Sequence, residues 1–192
     1  MTKSKSKLKK IWSYFSSGLL ITVIVILLVP SWRVKFQSWF QSFTLTESNF
    51  SVQSIKELND EAKNWQLFDL EGNLIVLSDF EGKPIVINFW ATWCPSCMAE
   101  MPELRDLRMA VDEDVKFIAV TEETPEVVEE AGMADDYDFI FCTQTFPSFF
   151  EVKVYPTLAI VNPQMEQIYR QEGATTFDSE KNINFLNSLL EN

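Results

Sequence analysis

The apolar run Ile85-Val86-Ile87-Asn88-Phe89-Trp90 is followed, after Ala91-Thr92, by Trp93-Cys94-Pro95-Ser96-Cys97 and then by a helix-like stretch from Met98 to Ala110. Two cysteines separated by two residues at a strand-to-helix junction form a reversible dithiol/disulfide. The helix start carries partial positive charge and unpaired N–H groups, which favour a thiolate on the first cysteine. Cys94 is then the attacking sulfur, and Cys97, one turn on, resolves the mixed disulfide.

The same spacing occurs in zinc sites. A closed structural zinc site takes four Cys or His ligands, and this chain has no histidine and one further cysteine, Cys142. A c-type haem is excluded at this motif because Met98 stands where the attachment histidine belongs. The redox reading therefore stands against one bland alternative, a pair of buried cysteines without a redox role.

The flanks bring in a family. Asn88-Phe89-Trp90-Ala91-Thr92-Trp93-Cys94-Pro95-Ser96-Cys97, with Glu100 and Pro102 beyond, resembles the TlpA/ResA-like branch of the thioredoxin superfamily, the membrane-tethered thiol–disulfide oxidoreductases of the bacterial envelope. Tyr155-Pro156-Thr157, opening the run Thr157–Val161, matches the cis-proline that faces the disulfide in those folds. The resemblance covers about residues 65–190. It implies an α/β thioredoxin-like fold: a central mixed sheet flanked by helices, with an N-terminal β-hairpin, preceded by one N-terminal transmembrane helix.

The rest of the chain fits an envelope protein. Net charge is −12, unevenly spread. Residues 1–30 hold five lysines and no acid, which leaves 11 basic against 28 acidic residues, or −17, beyond them. An acidic domain argues against a nucleic-acid partner. Lys3, Lys5, Lys7, Lys9 and Lys10 precede an uncharged stretch from Ile11 to Val29, ended by Pro30. Its 19 residues are close to the ~20 a bilayer-spanning helix needs. The lysines belong on the cytoplasmic side, which sends the C-terminal domain out to the periplasm or outer surface. A cleavable signal peptide is the rival, but no small-x-small site follows Val29. Either way the cysteines reach a disulfide-permissive compartment.

The expected organisation is a basic cytoplasmic segment (1–10), an anchor (11–30) in the bacterial inner membrane, a juxtamembrane amphipathic segment and linker (31–60), and a thioredoxin-like domain (61–192). Trp32, Phe36, Trp39, Phe40 and Phe43 recur at helical spacing. They make either an amphipathic helix in the headgroup region or an aromatic belt finishing the transmembrane helix. Thr44–Ser54 reads as a polar linker. Further on come a hairpin around Glu71-Gly72-Asn73, a strand at Lys116–Val120, a helix start at Thr124-Pro125-Glu126, a second hairpin around Asn162–Met165 and a last helix capped by Asp178 or Ser179. Between Tyr137 and Lys153 the pattern is unreadable.

Residue roles follow partly from position and partly from the resemblance. Cys94 and Cys97 are the catalytic pair. Glu100, one turn beyond Cys97, is a candidate proton acceptor for the Cys97 thiol; resembling proteins carry a glutamate near the disulfide here. Burial would raise its pKa into a useful range, whereas on a solvated helix face it would do nothing. Asn88 stands where thioredoxin has a buried aspartate. Trp93, Pro95, Ser96, Tyr155, Pro156 and Thr157 are assigned to substrate contact, the last three through strand-like pairing with an extended peptide. Pro102 is expected to kink its helix, and Cys142, among phenylalanines, to be an inert buried thiol.

The reading is a reductase of protein disulfides with no cofactor beyond the Cys94–Cys97 disulfide. Protein thiols and disulfides are its substrates, a membrane-embedded thiol carrier is its electron donor, and cytochrome c maturation is one family role. A disulfide-forming oxidase, a thiol peroxidase and a non-enzymatic peptide-binding module are the alternatives.

Overall fold

Every residue of Ile85–Phe89 is buried, as an apolar run without alternation demands of a strand covered on both faces. This strand, β5, is the centre of an eight-stranded mixed sheet in a computed structural model that describes residues 14, 17–24, 28–43, 45–132, 137–177 and 179–191. Helix α1 spans Pro30–Ser42. It is followed by β1 (Thr46–Glu47), β2 (Lys56–Glu57), α2 (Asp60–Lys63), β3 (Gln66–Asp69), β4 (Leu74–Val76) and β5. Then come α3 (Pro95–Ala110), β6 (Lys116–Thr121), α4 (Pro125–Glu130), β7 (Ile140–Thr143), β8 (Thr157–Val161), β9 (Glu166–Glu172), β10 (Thr175–Thr176) and α5 (Glu180–Ser188). Short 3-10 turns occupy Leu77–Phe80 and Ser148–Phe150.

The sheet order is β2-β9-β8-β5-β6-β7-β3-β4. β5, β6 and β7 run parallel, joined by crossover connections as parallel strands require. β8 lies antiparallel on the other side of β5, with Phe89 opposite Thr157. That register brings the chain leaving β5 toward the cysteines and the chain entering β8 from Pro156 to the same sheet edge. Alternation along β5 feeds two cores. Val86 and Trp90 join Met101, Leu104 and Leu107 of α3 and Leu186 of α5. Ile85, Ile87 and Phe89 pack with Leu67, Leu77 and Phe150 on the opposite face.

Both expected hairpins form, with Gly72 at φ 84 making the tight turn of the first. α4 begins with Pro125 after Thr124. Ser179 caps α5, accepting from the Asn182 N–H; Asp178, the other candidate cap, lies outside the described residues. Pro102 sits inside α3. Two stretches differ from expectation. The unreadable region contains β7, whose Phe141 and Cys142 are buried between β6 and β3. The expected linker is packed: β1 pairs with β10, β2 pairs with β9, and Phe50 and Leu58 enter the cores. Polar composition suggested a tether, but two apolar side chains bind it to the domain.

Among the described residues no helix is long and apolar enough to cross a membrane. Of the expected anchor, residues 11–13, 15–16 and 25–27 lie outside the described set; 17–24 are helical and exposed.

Candidate active site

Cys94 is the N-cap of α3, with Pro95 in the first helical position. Proline suits that position because its missing N–H would have no intrahelical partner. The Cys97 N–H donates to Cys94 Sγ at 3.1 Å, and the two cysteines form a disulfide with Cα atoms 5.3 Å apart. Ser96 Oγ lies 3.6 Å from Cys94 Sγ. Cys97 is fully buried and Cys94 is 4% exposed, which makes Cys94 the more accessible of the two. Amide donation and the helix start both stabilise charge on Cys94 once the bond is reduced.

Trp93 stands out at 61% exposure beside this buried disulfide. Its ring packs edge-on against Tyr155 at 5.7 Å, and Tyr155 packs edge-on against Phe146 at 6.2 Å. The Tyr155–Pro156 peptide bond is cis, and the Pro156 carbonyl accepts from the Gly173 N–H. Thr157 is buried, and its hydroxyl donates to the Val154 carbonyl. Next to Tyr155 a groove of ≈ 310 Å³ runs between Glu122, Phe146, Pro147, Ser148 and Val152. Burial and the neighbouring Glu122 carboxylate hold the Tyr155 phenol above its ordinary pKa.

Glu100 is on the inner side of α3, fully buried. Its Oε1 accepts from the Thr175 N–H of β10 at 3.1 Å, whereas Oε2 has no hydrogen-bond partner among the described residues. Burial pushes its pKa up to about 8, against the smaller lowering by the Thr175 amide. The solvated-glutamate reading is thereby excluded. Asn88 is also buried, with Nδ2 3.5 Å from Met101 Sδ, and its amide has no proton to give or take near neutrality. Burial, aided by Asp69, pushes the Cys142 thiol up to about 12, and an uncharged thiol is a poor nucleophile. Among the described residues no three Cys, His, Asp or Glu side chains are grouped to hold a metal ion.

One participant escaped the sequence reading. Glu123, just beyond β6, accepts from Thr92 N–H at 2.6 Å and from Thr92 Oγ1 at 2.7 Å. It thereby ties down the loop that presents Trp93 and Cys94. Only the parallel β5–β6 pairing, Phe89 opposite Val120, brings these two loops together; no motif signals it.

Comparisons agree with this geometry. The model of the AhpC/TSA family matches residues 58–166. The thiol–disulfide oxidoreductase ResA of Bacillus cereus is 35% identical over 80% of this chain and 87% of its own length. That of Oceanobacillus iheyensis is 30% identical over 71% and 76%. Among solved structures, a candidate thiol:disulfide interchange protein DsbE from Chlorobium tepidum superposes with a TM-score of 0.61 at 19% identity, covering 73% of this chain and 99% of that one. A secreted disulfide oxidoreductase of Mycobacterium tuberculosis gives 0.54 at 19% identity, covering 69% and 98%. These structural likenesses carry the fold, and the sequence relatives carry the chemistry. With a disulfide-forming cysteine pair in place, the chain is an oxidoreductase belonging to the AhpC/TSA family and, within the thioredoxin-like proteins, to the ResA-like thiol–disulfide oxidoreductases.

Proposed function

We propose that this protein reduces disulfides of protein substrates on the outer side of the bacterial inner membrane, anchored by the apolar stretch Ile11–Val29. The observation that carries the reading is the Cys94–Cys97 pair, with one barely accessible sulfur at a helix start. In the reduced enzyme the Cys94 thiolate attacks one sulfur of a substrate disulfide. A mixed disulfide forms and one substrate thiolate leaves, taking a proton. Glu100 accepts the Cys97 proton; a carboxyl with a pKa of about 8 is matched to a thiol near neutral pH. Cys97 then attacks Cys94 Sγ, the enzyme disulfide closes and the second substrate thiolate departs. The substrate gains two electrons, and a membrane-embedded thiol carrier returns two to Cys94–Cys97. Trp93, Pro95, Ser96 and Tyr155 line the approach, and the Pro156-Thr157 edge pairs with the extended substrate.

The resemblance favours reduction over oxidation and offers apocytochrome c as a substrate. The reduction potential of the Cys94–Cys97 pair tests the direction. A value near or below thioredoxin's ~−270 mV supports a reductase, and one near DsbA's ~−120 mV makes the protein a disulfide donor. Mixed disulfides trapped with Cys97→Ser test the substrate: recovery of apocytochrome c supports the link, and its absence from the trapped set removes it.

A further inference from the structure

Helix α1 faces the wrong way for a helix in water. It lies against α3, yet its half-buried stripe is Val34, Ser38 and Gln41, with Gln41 Oε1 closed off from solvent. Its outward stripe is Trp32, Phe36, Trp39, Phe40 and Phe43, between 42% and 71% exposed. The aromatics pack on one another, Phe36 on Trp39 at 6.1 Å and Trp39 on Phe43 at 5.2 Å. A contiguous exposed patch of this kind marks a surface that something apolar covers.

Three observations identify the cover. α1 starts at Pro30, directly after the uncharged Ile11–Val29, so it cannot be far from the membrane surface if that stretch is embedded. Val29 is extended, at φ −94 and ψ 112, so helical backbone is interrupted directly before α1. Pro30–Ser42 carries Arg33 and Lys35 and no acid, in a chain that is otherwise strongly acidic beyond residue 30. Tryptophan and phenylalanine with flanking cations suit the headgroup layer of an anionic bilayer.

We propose that α1 is an interfacial helix, lying in the membrane plane with its aromatic stripe among the lipid headgroups and its opposite stripe on α3. The redox domain is then not on a free tether. Its active-site helix is clamped to the membrane surface, where a membrane-embedded thiol carrier would meet it. This rests on the anchor reading above.

The test uses the full-length chain in mixed phosphatidylcholine–phosphatidylglycerol vesicles whose lipids carry bromine at a shallow acyl position. Trp32→Phe and Trp39→Phe each remove one of six tryptophans, and both side chains are exposed, so neither change endangers folding. The fluorescence lost in each variant reports the quenching of that indole. An in-plane helix gives strong quenching of both, equal within about twofold, because they share one depth. A helix continuing along the membrane normal carries Trp39 about 10 Å beyond Trp32; quenching of Trp32 alone would overturn the proposal. Quenching of neither would also overturn it and assign the stripe to a second copy or another protein. Alkaline carbonate extraction reads the anchor separately. Release of a chain whose two tryptophans were quenched before the wash removes the anchor and leaves the interfacial helix.

Discussion

Glu100 combines full burial, one amide donor and an oxygen without a partner, so its charged form is disfavoured in the folded protein. The folded pKa of about 8 lies above the ordinary 4.5. The folded state therefore holds a proton that the unfolded state releases, and the stability this contributes is lost as pH rises from about 4.5 to about 8. Glu100→Gln removes that loss. Thermal melts across this range should show the variant gaining on the parent as pH rises, by an amount on the order of a few kcal/mol at the alkaline end. If Glu100 takes the Cys97 proton, the same variant slows closure of the enzyme disulfide by about 100-fold or more in stopped-flow reduction of a model substrate. Burial also raises the Cys142 pKa, to about 12, so native oxidised protein should show no reactive thiol at neutral pH and one after denaturation. Cys142→Ala should leave the Cys94–Cys97 potential unchanged.

At the scale of elements, the loop between β5 and α3 owes its shape to a neighbour distant in sequence. The Glu123 carboxylate satisfies both the amide and the hydroxyl of Thr92. Glu123→Ala leaves the Thr92 amide without its acceptor, at a cost of about 1–3 kcal/mol. Hydrogen exchange at Thr92 and Trp93 should accelerate at least tenfold, with little change in the β5 strand; unchanged exchange would show that the loop is held by something else. Asn182 does similar work for the chain ends. It accepts from Phe50 N–H at 2.6 Å and donates to the Ser48 and Phe177 carbonyls, fastening the segment before β2 to the start of α5.

Across the whole molecule, that fastening moves the practical boundary of the folded unit. Phe50 sits 5.0 Å from Tyr169 and 5.3 Å from Phe177, ring to ring. A fragment starting at Asn59 loses Phe50, Leu58, β1 and β2, and should melt well below one starting at Leu45. Removing a buried phenylalanine alone costs about 3–5 kcal/mol, so side-by-side thermal denaturation separates the two; equal melting would show that residues 45–58 add nothing to the fold.

The division between what was readable and what was not follows from the range of the interactions. Cys94 and Cys97 at a strand-to-helix junction, the buried run of β5, both hairpins and the Thr124-Pro125 helix start were legible, because each depends on residues within one turn or one strand of each other. β7 was not, because Ile140–Thr143 lies in a long aromatic stretch without alternation, and only pairing with β6 and β3 makes it a strand. The residue type and spacing of Glu100 made it a candidate, but its burial, and hence its raised pKa, exists only once β10 closes over α3. Glu123 and Asn182 carried no local signal at all. Their partners lie 31 and 132 residues away, and such contacts come into being only when sheet pairing and helix docking bring those segments together. The sequence by itself determined the redox chemistry, since that resides in two neighbouring sulfurs and the helix start that holds them. The tertiary structure alone decided that Glu100 is buried and its pKa raised, that Glu123 holds the Thr92 loop, and that residues 45–58 are built into the domain, because each depends on segments brought together by sheet pairing and helix docking.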